Sequence, residues 1–143
     1  MRECTIDLAG ADDLARVRAI DPRVRDTPGR DTFLARAVAA GQCCLAREGA
    51  MVVGFAVFDR SLYDQPFVAL LFVAPERRRQ GVATALIRYI EAVCPTEKLF
   101  TSTNASNEAM QGLCERLGFA RSGWIEHLDE GDPEIIYFKR VTR

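Results

Sequence analysis

Histidine is almost missing from this chain: His127 is the only one among 143 residues. A zinc centre of the Cys/His kind has little to build on. The five cysteines, Cys4, Cys43, Cys44, Cys94 and Cys114, show no CxxC spacing, and no metal site is expected. Their odd number and scattered placement predict free thiols in a reducing cytoplasm. Adjacent Cys43 and Cys44 would point to opposite faces of a strand, so a bridge between them is not expected. No apolar run reaches the roughly 18 residues that a membrane helix needs. The opening "MRECTIDLAGADDL" lacks the apolar stretch of a secretory leader, so no membrane role is expected. An excess of charge is lacking too. The 19 Lys+Arg against 20 Asp+Glu, a net charge of -1, argue against nucleic-acid binding by bulk charge. Repeats, linkers and low-complexity segments are absent, as are the P-loop pattern GxxxxGK[ST] and the dinucleotide pattern GxGxxG.

What remains is an ordinary globular balance, 48% hydrophobic and 27% charged, in a length that suits one domain with a real core. "CTIDLAG" reads as a first strand and "ADDLARVRAI" as a helix, with Asp12 and Asp13 favourable in its first turn. "DPRVRDTPGRD" is a loop, in which Thr27 and Pro28 resemble an N-cap and a first helical residue. Phe33, Leu34, Ala37 and Val38 recur at helical spacing up to a stop at Gly41. "QCCLARE" and "MVVGFAVFD" read as strands joined by a tight turn at Gly49, and "PFVALLFV" as a third. In "GVATALIRYIEAV", Ala83, Leu86, Ile87, Ile90 and Val93 trace one helical face. "KLFTST" is a strand. "NEAMQGLCERLG" is a helix with Met110, Leu113, Cys114 and Leu117 on one stripe. "FARSGWIEHL" and "EIIYFKR" are strands flanking the turn "DEGDP". The order β-α-α-β-β-β-α-β-α-β-β predicts an α/β or α+β fold around one mostly connected sheet.

The stretch "VAPERRRQGVATALI" carries the chemistry. The first turn of a helix has amide groups without intrahelical partners and the positive end of the macrodipole, so it can hold an anion. Gly81 and Ala83 let an anion approach the backbone. Arg77, Arg78 and Arg79 add charge suited to phosphate, unless they form a solvated helix start. Pro75 ends the strand before them. Strand, basic small-residue turn and amphipathic helix together predict a pyrophosphate cradle.

Arg78-x-x-Gly81-x-Ala83, preceded by Val73-x-Pro75, resembles the acyl-CoA motif of the GNAT superfamily of N-acyltransferases, (Gln/Arg)-x-x-Gly-x-(Gly/Ala). "NASNEAMQGLCERLGF", from Asn104 to Phe119, is similar to that family's asparagine, helix and Leu-Gly-Phe block. The resemblance covers nearly the whole chain. It implies a single acetyltransferase domain over 1–143, with a mixed, mostly antiparallel central sheet, a splayed strand pair and flanking helices. It implies acetyl-CoA as cosubstrate. Leu71, Phe72 and Val73 would pair with pantetheine, and Arg78, Arg79, Gln80, Gly81, Val82, Ala83 and Thr84 would form the pyrophosphate turn. Asn104 and Asn107 would contact the pantetheine arm, or else cap a helix.

The implied chemistry is direct attack of a neutral primary amine on the thioester. A base removes the amine proton, backbone donors hold the oxyanion and an acid protonates the thiolate. The sequence departs from the family at the acid. Cys114 stands where a tyrosine is common, either as a weak acid or pocket wall or as a small apolar core residue. No carboxylate lies on "PFVALLFV" to serve as base. Glu126, His127 and Glu134 are the candidates near the last hairpin, and Tyr63 and Tyr137 are alternative acids. Only one of Glu126 and His127 could face a cleft from a strand. His127 alone has an unperturbed pKa suited to a base near neutrality. The acids of "EHLDEGDPE" would attract a cationic acceptor, or else form a solvated turn. The resemblance therefore implies an N-acetyltransferase acting on a small-molecule or peptide amine, with no nucleic acid or membrane partner and a homodimer as a candidate assembly. A non-catalytic acyl-CoA-binding module is the alternative.

Overall fold

The computed structural model describes residues 3–142. Its element order is the one expected from the sequence: β1 (Thr5–Leu8), α1 (Leu14–Ile20), α2 (Arg30–Ala39), β2 (Cys43–Glu48), β3 (Met51–Leu62), β4 (Gln65–Val73), α3 (Val82–Val93), β5 (Lys98–Asn104), α4 (Glu108–Arg116), β6 (Ala120–Ile125) and β7 (Glu134–Arg140). Short 3₁₀ turns at Ala11–Asp13 and Pro75–Arg77 lead towards α1 and α3. The strands form a seven-stranded sheet in the order β1-β2-β3-β4-β5-β7-β6. Its pairings are antiparallel at β1/β2, β2/β3, β5/β7 and β6/β7 and parallel at β4/β5. This is the mixed, mostly antiparallel sheet expected above.

Two compact units divide the chain. The first comprises residues 1–58 and 70–90. Its core holds Val17, Leu34, Leu45, Val53, Phe55, Val57, Leu86, Ile87 and Ile90, all essentially without solvent contact. In it Gly41, left-handed at φ 71°, closes α2: Gln42 N donates to Ala37 O at 2.9 Å and Gly41 N to Val38 O at 3.2 Å. These two bonds make a Schellman cap. The start of α2 differs from expectation. Thr27 and Pro28 lie in the preceding turn, and the N-cap is Gly29 at φ 85°. Arg30 N donates to Thr27 O there, so the chain needs a left-handed residue before it can enter the helix. In α3, Val82, Leu86, Ile87 and Ile90 are buried, whereas Val93 is 46% exposed. The apolar face therefore begins at Val82 rather than at Ala83.

The second unit comprises residues 59–69 and 91–143. Here β5 and β7 pair along their whole length, from Lys98↔Arg140 to Asn104↔Glu134. β4 meets β5 through Phe67↔Phe100 and Val68↔Thr101. Thr101 Oγ1 donates to Val68 O at 3.1 Å, which strengthens the last of those pairs. From there β4 runs on to Val73. The core of this unit holds Leu99, Thr101, Leu113, Cys114, Ile135 and Tyr137.

Candidate acyl-donor and catalytic sites

In the first unit, Leu71, Phe72 and Val73 end β4, and the turn from Arg78 to Gly81 leads into α3. Arg79 and Gly81 both adopt left-handed backbone, at φ 65° and φ 84°. Left-handed residues alternating with ordinary ones turn successive amides towards one concave side, which makes an anion nest. The amides of Val82, Ala83 and Thr84 precede the first helical bond, which Ala85 N donates to Gly81 O at 3.0 Å. They have no partner within the helix. Nothing lies within 4 Å of where a Gly81 Cβ would stand. Glycine is therefore favoured here by its positive φ, and its Cα faces open space. This adds a conformational reason to the steric one read from the sequence.

The three arginines divide their work. Arg77 Nε donates to Glu48 Oε1 at 2.8 Å and ties the turn to the end of β2. Arg78 Nε donates to Val73 O at 3.1 Å, and its guanidinium lies 5.7 Å from the Phe72 ring centroid. Neither Arg78 nor Arg79 makes an ion pair among the described residues, so the Arg79 guanidinium and the terminal nitrogens of Arg78 remain available to an anion. Gln80 Nε2 donates to Glu76 O at 3.3 Å and closes the turn from the other side.

Gly54 on β3 supports this arrangement. A Cβ there would meet Phe72 O at 2.9 Å, Val82 Cγ1 at 3.2 Å and Leu86 Cδ1 at 3.5 Å. Backbone of β4 and the first turn of α3 thus close over a position with no room for a side chain.

In the second unit, Asn104 and Asn107 are both engaged. The Asn107 side chain accepts from Met110 N at 3.1 Å and caps α4. The Asn104 amide nitrogen donates to Asp129 Oδ2 at 2.9 Å and to Asp132 O at 3.3 Å. Asp132 in turn accepts from Ser106 N at 2.9 Å and Ser106 Oγ at 2.6 Å. The acidic hairpin is therefore a hydrogen-bonded brace for the β5–α4 connection, which supports the solvated-turn reading.

Cys114 is 2% exposed, on the buried stripe of α4 with Leu113 and Leu117, and burial pushes its thiol up to about 11. It sits as a core residue. Glu126 and His127 lie beyond the end of β6, off any strand, so the alternation argument between them does not apply. The His127 side chain is 81% exposed, left-handed at φ 75°, with Nδ1 3.2 Å from Glu130 Oε1. Tyr63 is 91% exposed at the β3–β4 turn, whereas Tyr137 is fully buried with a hydroxyl that has no partner among the described residues. Glu134 is different. It begins β7 half-buried, and its Oε2 accepts from Ser102 Oγ at 2.7 Å. Sequence reasoning passed over Ser102. The only signal for it was a polar residue inside "KLFTST".

The described residues hold no cluster of His, Cys, Asp and Glu able to bind a metal ion. All five cysteines are free, and burial pushes Cys43 and Cys44 up to about 12. Among the described residues no helix is long and apolar enough to cross a membrane.

Residues 12–119 match the acetyltransferase (GNAT) family. A GNAT-family acetyltransferase from Bacillus cereus is 38% identical, with TM-score 0.91 and 99% of each chain covered. Diaminobutyrate acetyltransferase EctA from Paenibacillus lautus, solved with L-2,4-diaminobutyric acid and coenzyme A, shares the fold. Its TM-score is 0.73 at 21% identity, over 100% of this chain and 98% of that one. A 72-residue stretch is 35% identical to the human cysteine-rich protein 2-binding protein. It is half of this chain but only 9% of that protein.

Proposed function

The chain belongs to the acetyltransferase (GNAT) family, and from that premise we propose that it transfers an acetyl group from acetyl-CoA to a primary amine by direct attack in a ternary complex. The observation that carries this reading is the left-handed pair Arg79 and Gly81 at the mouth of α3. The nest fits a pyrophosphate: Arg79, Gln80, Gly81, Val82, Ala83 and Thr84 supply amides, and the Arg79 guanidinium supplies charge. Leu71 and Phe72 offer strand backbone to the pantetheine amides. Val73 does so through the lone pair that Arg78 leaves free.

The acceptor nitrogen attacks the thioester carbonyl carbon, the C–S bond breaks and the sulfur leaves with the electron pair. Backbone N–H groups on β4 stabilise the oxyanion. A free thiol ionises near pH 8.5, so the CoA sulfur is a tolerable leaving group even with Cys114 in place of a tyrosine.

Titration with acetyl-CoA in a calorimeter tests the donor site. The parent chain is expected to bind at micromolar strength, and a folded Gly81→Trp variant to bind at least tenfold more weakly. Equal binding by both would remove the nest from the reading. Binding without acetylation of any amine in a mass-spectrometric screen would instead favour a non-catalytic acyl-CoA-binding module, the alternative that a buried Cys114 supports.

A further inference from the structure

We propose that Glu48 is a positioning residue of the acyl-donor site. Through Arg77 it fixes the turn whose amides hold the acetyl-CoA pyrophosphate, an assignment that rests on the donor reading above. Arg77 Nε donates to Glu48 Oε1 at 2.8 Å, across 29 positions of the chain. The Glu48 side chain is 6% exposed and that of Arg77 20%. The pair is largely withdrawn from water, and a charge-assisted bond of this length holds its geometry closely. Among the described residues Glu76, Arg78 and Arg79 make no ion pair, so the ion pair of the turn is the one at Arg77.

Register brings Glu48 to the turn. Ala46 pairs with Gly54 and Glu48 with Met51. Ala46 and Glu48 are alternate residues of β2 and share a face. Gly54, opposite Ala46, belongs to the same face, and a Cβ there would meet Val82 Cγ1 and Leu86 Cδ1. Glu48 therefore stands on the face that α3 covers, and its bond to Arg77 places it beside the entry to α3. The shift in pairing after Ala46 leaves Val53 as an extra residue of β3. Val53 O accepts from Ala74 N at 2.8 Å. The turn is thus tied to β3 at Ala74 and to β2 at Arg77. It is pinned again at Val82, which is 3% exposed.

The two left-handed residues lie between Arg77 and Val82. Gly81 adopts its φ of 84° freely, but Arg79 at φ 65° carries a side chain, which disfavours that conformation. Such a residue persists where the contacts around it over-determine it. Fixing Arg77 shortens the segment that is free to relax. The amides from Arg79 to Thr84 are then aimed before the ligand arrives, and binding carries less ordering cost. The sign of the effect separates this role from simple charge. Glu48 is an anion beside an anion site, so by its field alone its removal would tighten binding. As a positioning residue its removal loosens binding.

The test titrates the full chain with acetyl-CoA at about 50 mM and about 500 mM salt, with urea unfolding of each variant alongside. Glu48→Ala is expected to raise Kd about fivefold or more. Glu48→Gln still offers an oxygen to Arg77 and is expected to restore Kd to within about twofold of the parent. Arg77→Met keeps the stem, loses the pair and decides the matter if Glu48→Ala does not fold. Its fold-loss relative to the parent should be the same at both salts, whereas a lost direct attraction to the ligand would shrink at the higher salt. In the double variant Glu48→Ala should add nothing to Arg77→Met, because the two residues act as a unit. Unchanged or tighter binding by a folded Glu48→Ala variant overturns the assignment, as does an Arg77→Met loss that disappears at the higher salt. Lower stability with parent-like Kd would make the pair a brace for folding alone and overturns it too. Absence of acetyl-CoA binding by the parent chain removes the donor nest itself, and this assignment with it.

Discussion

Three consecutive arginines look alike in a sequence and have different tasks in the fold. Arg77 is paired with Glu48, Arg78 is anchored through Nε to Val73 O beside the Phe72 ring, and Arg79 makes no ion pair among the described residues. The division is set by where β2 ends and where β4 exposes a carbonyl, and neither can be read from "RRR". Cys114 shows the converse. Its helical spacing with Leu113 and Leu117 already marked a core residue, and its burial agrees. Cys114→Ala should therefore keep measurable acetyltransferase turnover while costing about 1 kcal/mol in chemical denaturation, the loss of one buried sulfur. Abolished turnover in a folded variant would return Cys114 to the chemistry.

At the scale of elements, order and type were legible because the periodic signals are strong. The 3.6-residue apolar rhythm of α3 and the short apolar runs of β3 and β4 leave little choice. Boundaries were less legible. Thr27–Pro28 has the chemistry of a helix start, yet the helix begins after Gly29, because the chain must turn through a left-handed residue first. "WIEHL" reads as continuous strand, but β6 stops at Ile125. Gly54 carried no sequence signal at all, and its role depends on how closely β4 and α3 approach it. Gly54→Ala is expected to cost about 1–3 kcal/mol by urea unfolding, since the added methyl would meet the Phe72 carbonyl, which cannot rotate away. The same variant should weaken acetyl-CoA binding, because the displaced atoms belong to the proposed donor site. A neutral effect on both would mean that β4 yields without cost.

For the molecule as a whole, the proposed donor site lies entirely within the first compact unit, in residues 71–84. Saturating acetyl-CoA should therefore slow amide exchange first in that segment. At about 100 times Kd it should add about 2.7 kcal/mol to stability, or a few degrees in Tm. Protection confined to other segments would remove the nest as the donor site. The sequence by itself determined the element order, most of the apolar faces and the place of the glycine turn before α3. Each depends on local spacing, on proline and glycine, and on the unpaired amides that begin any helix. Only the tertiary structure decided that Arg77 is the arginine paired with Glu48, why position 54 must lack a side chain, and that Glu134 is bonded to Ser102. Those facts depend on register and on cation pairing between residues far apart in the chain, and local pattern carries no information about either.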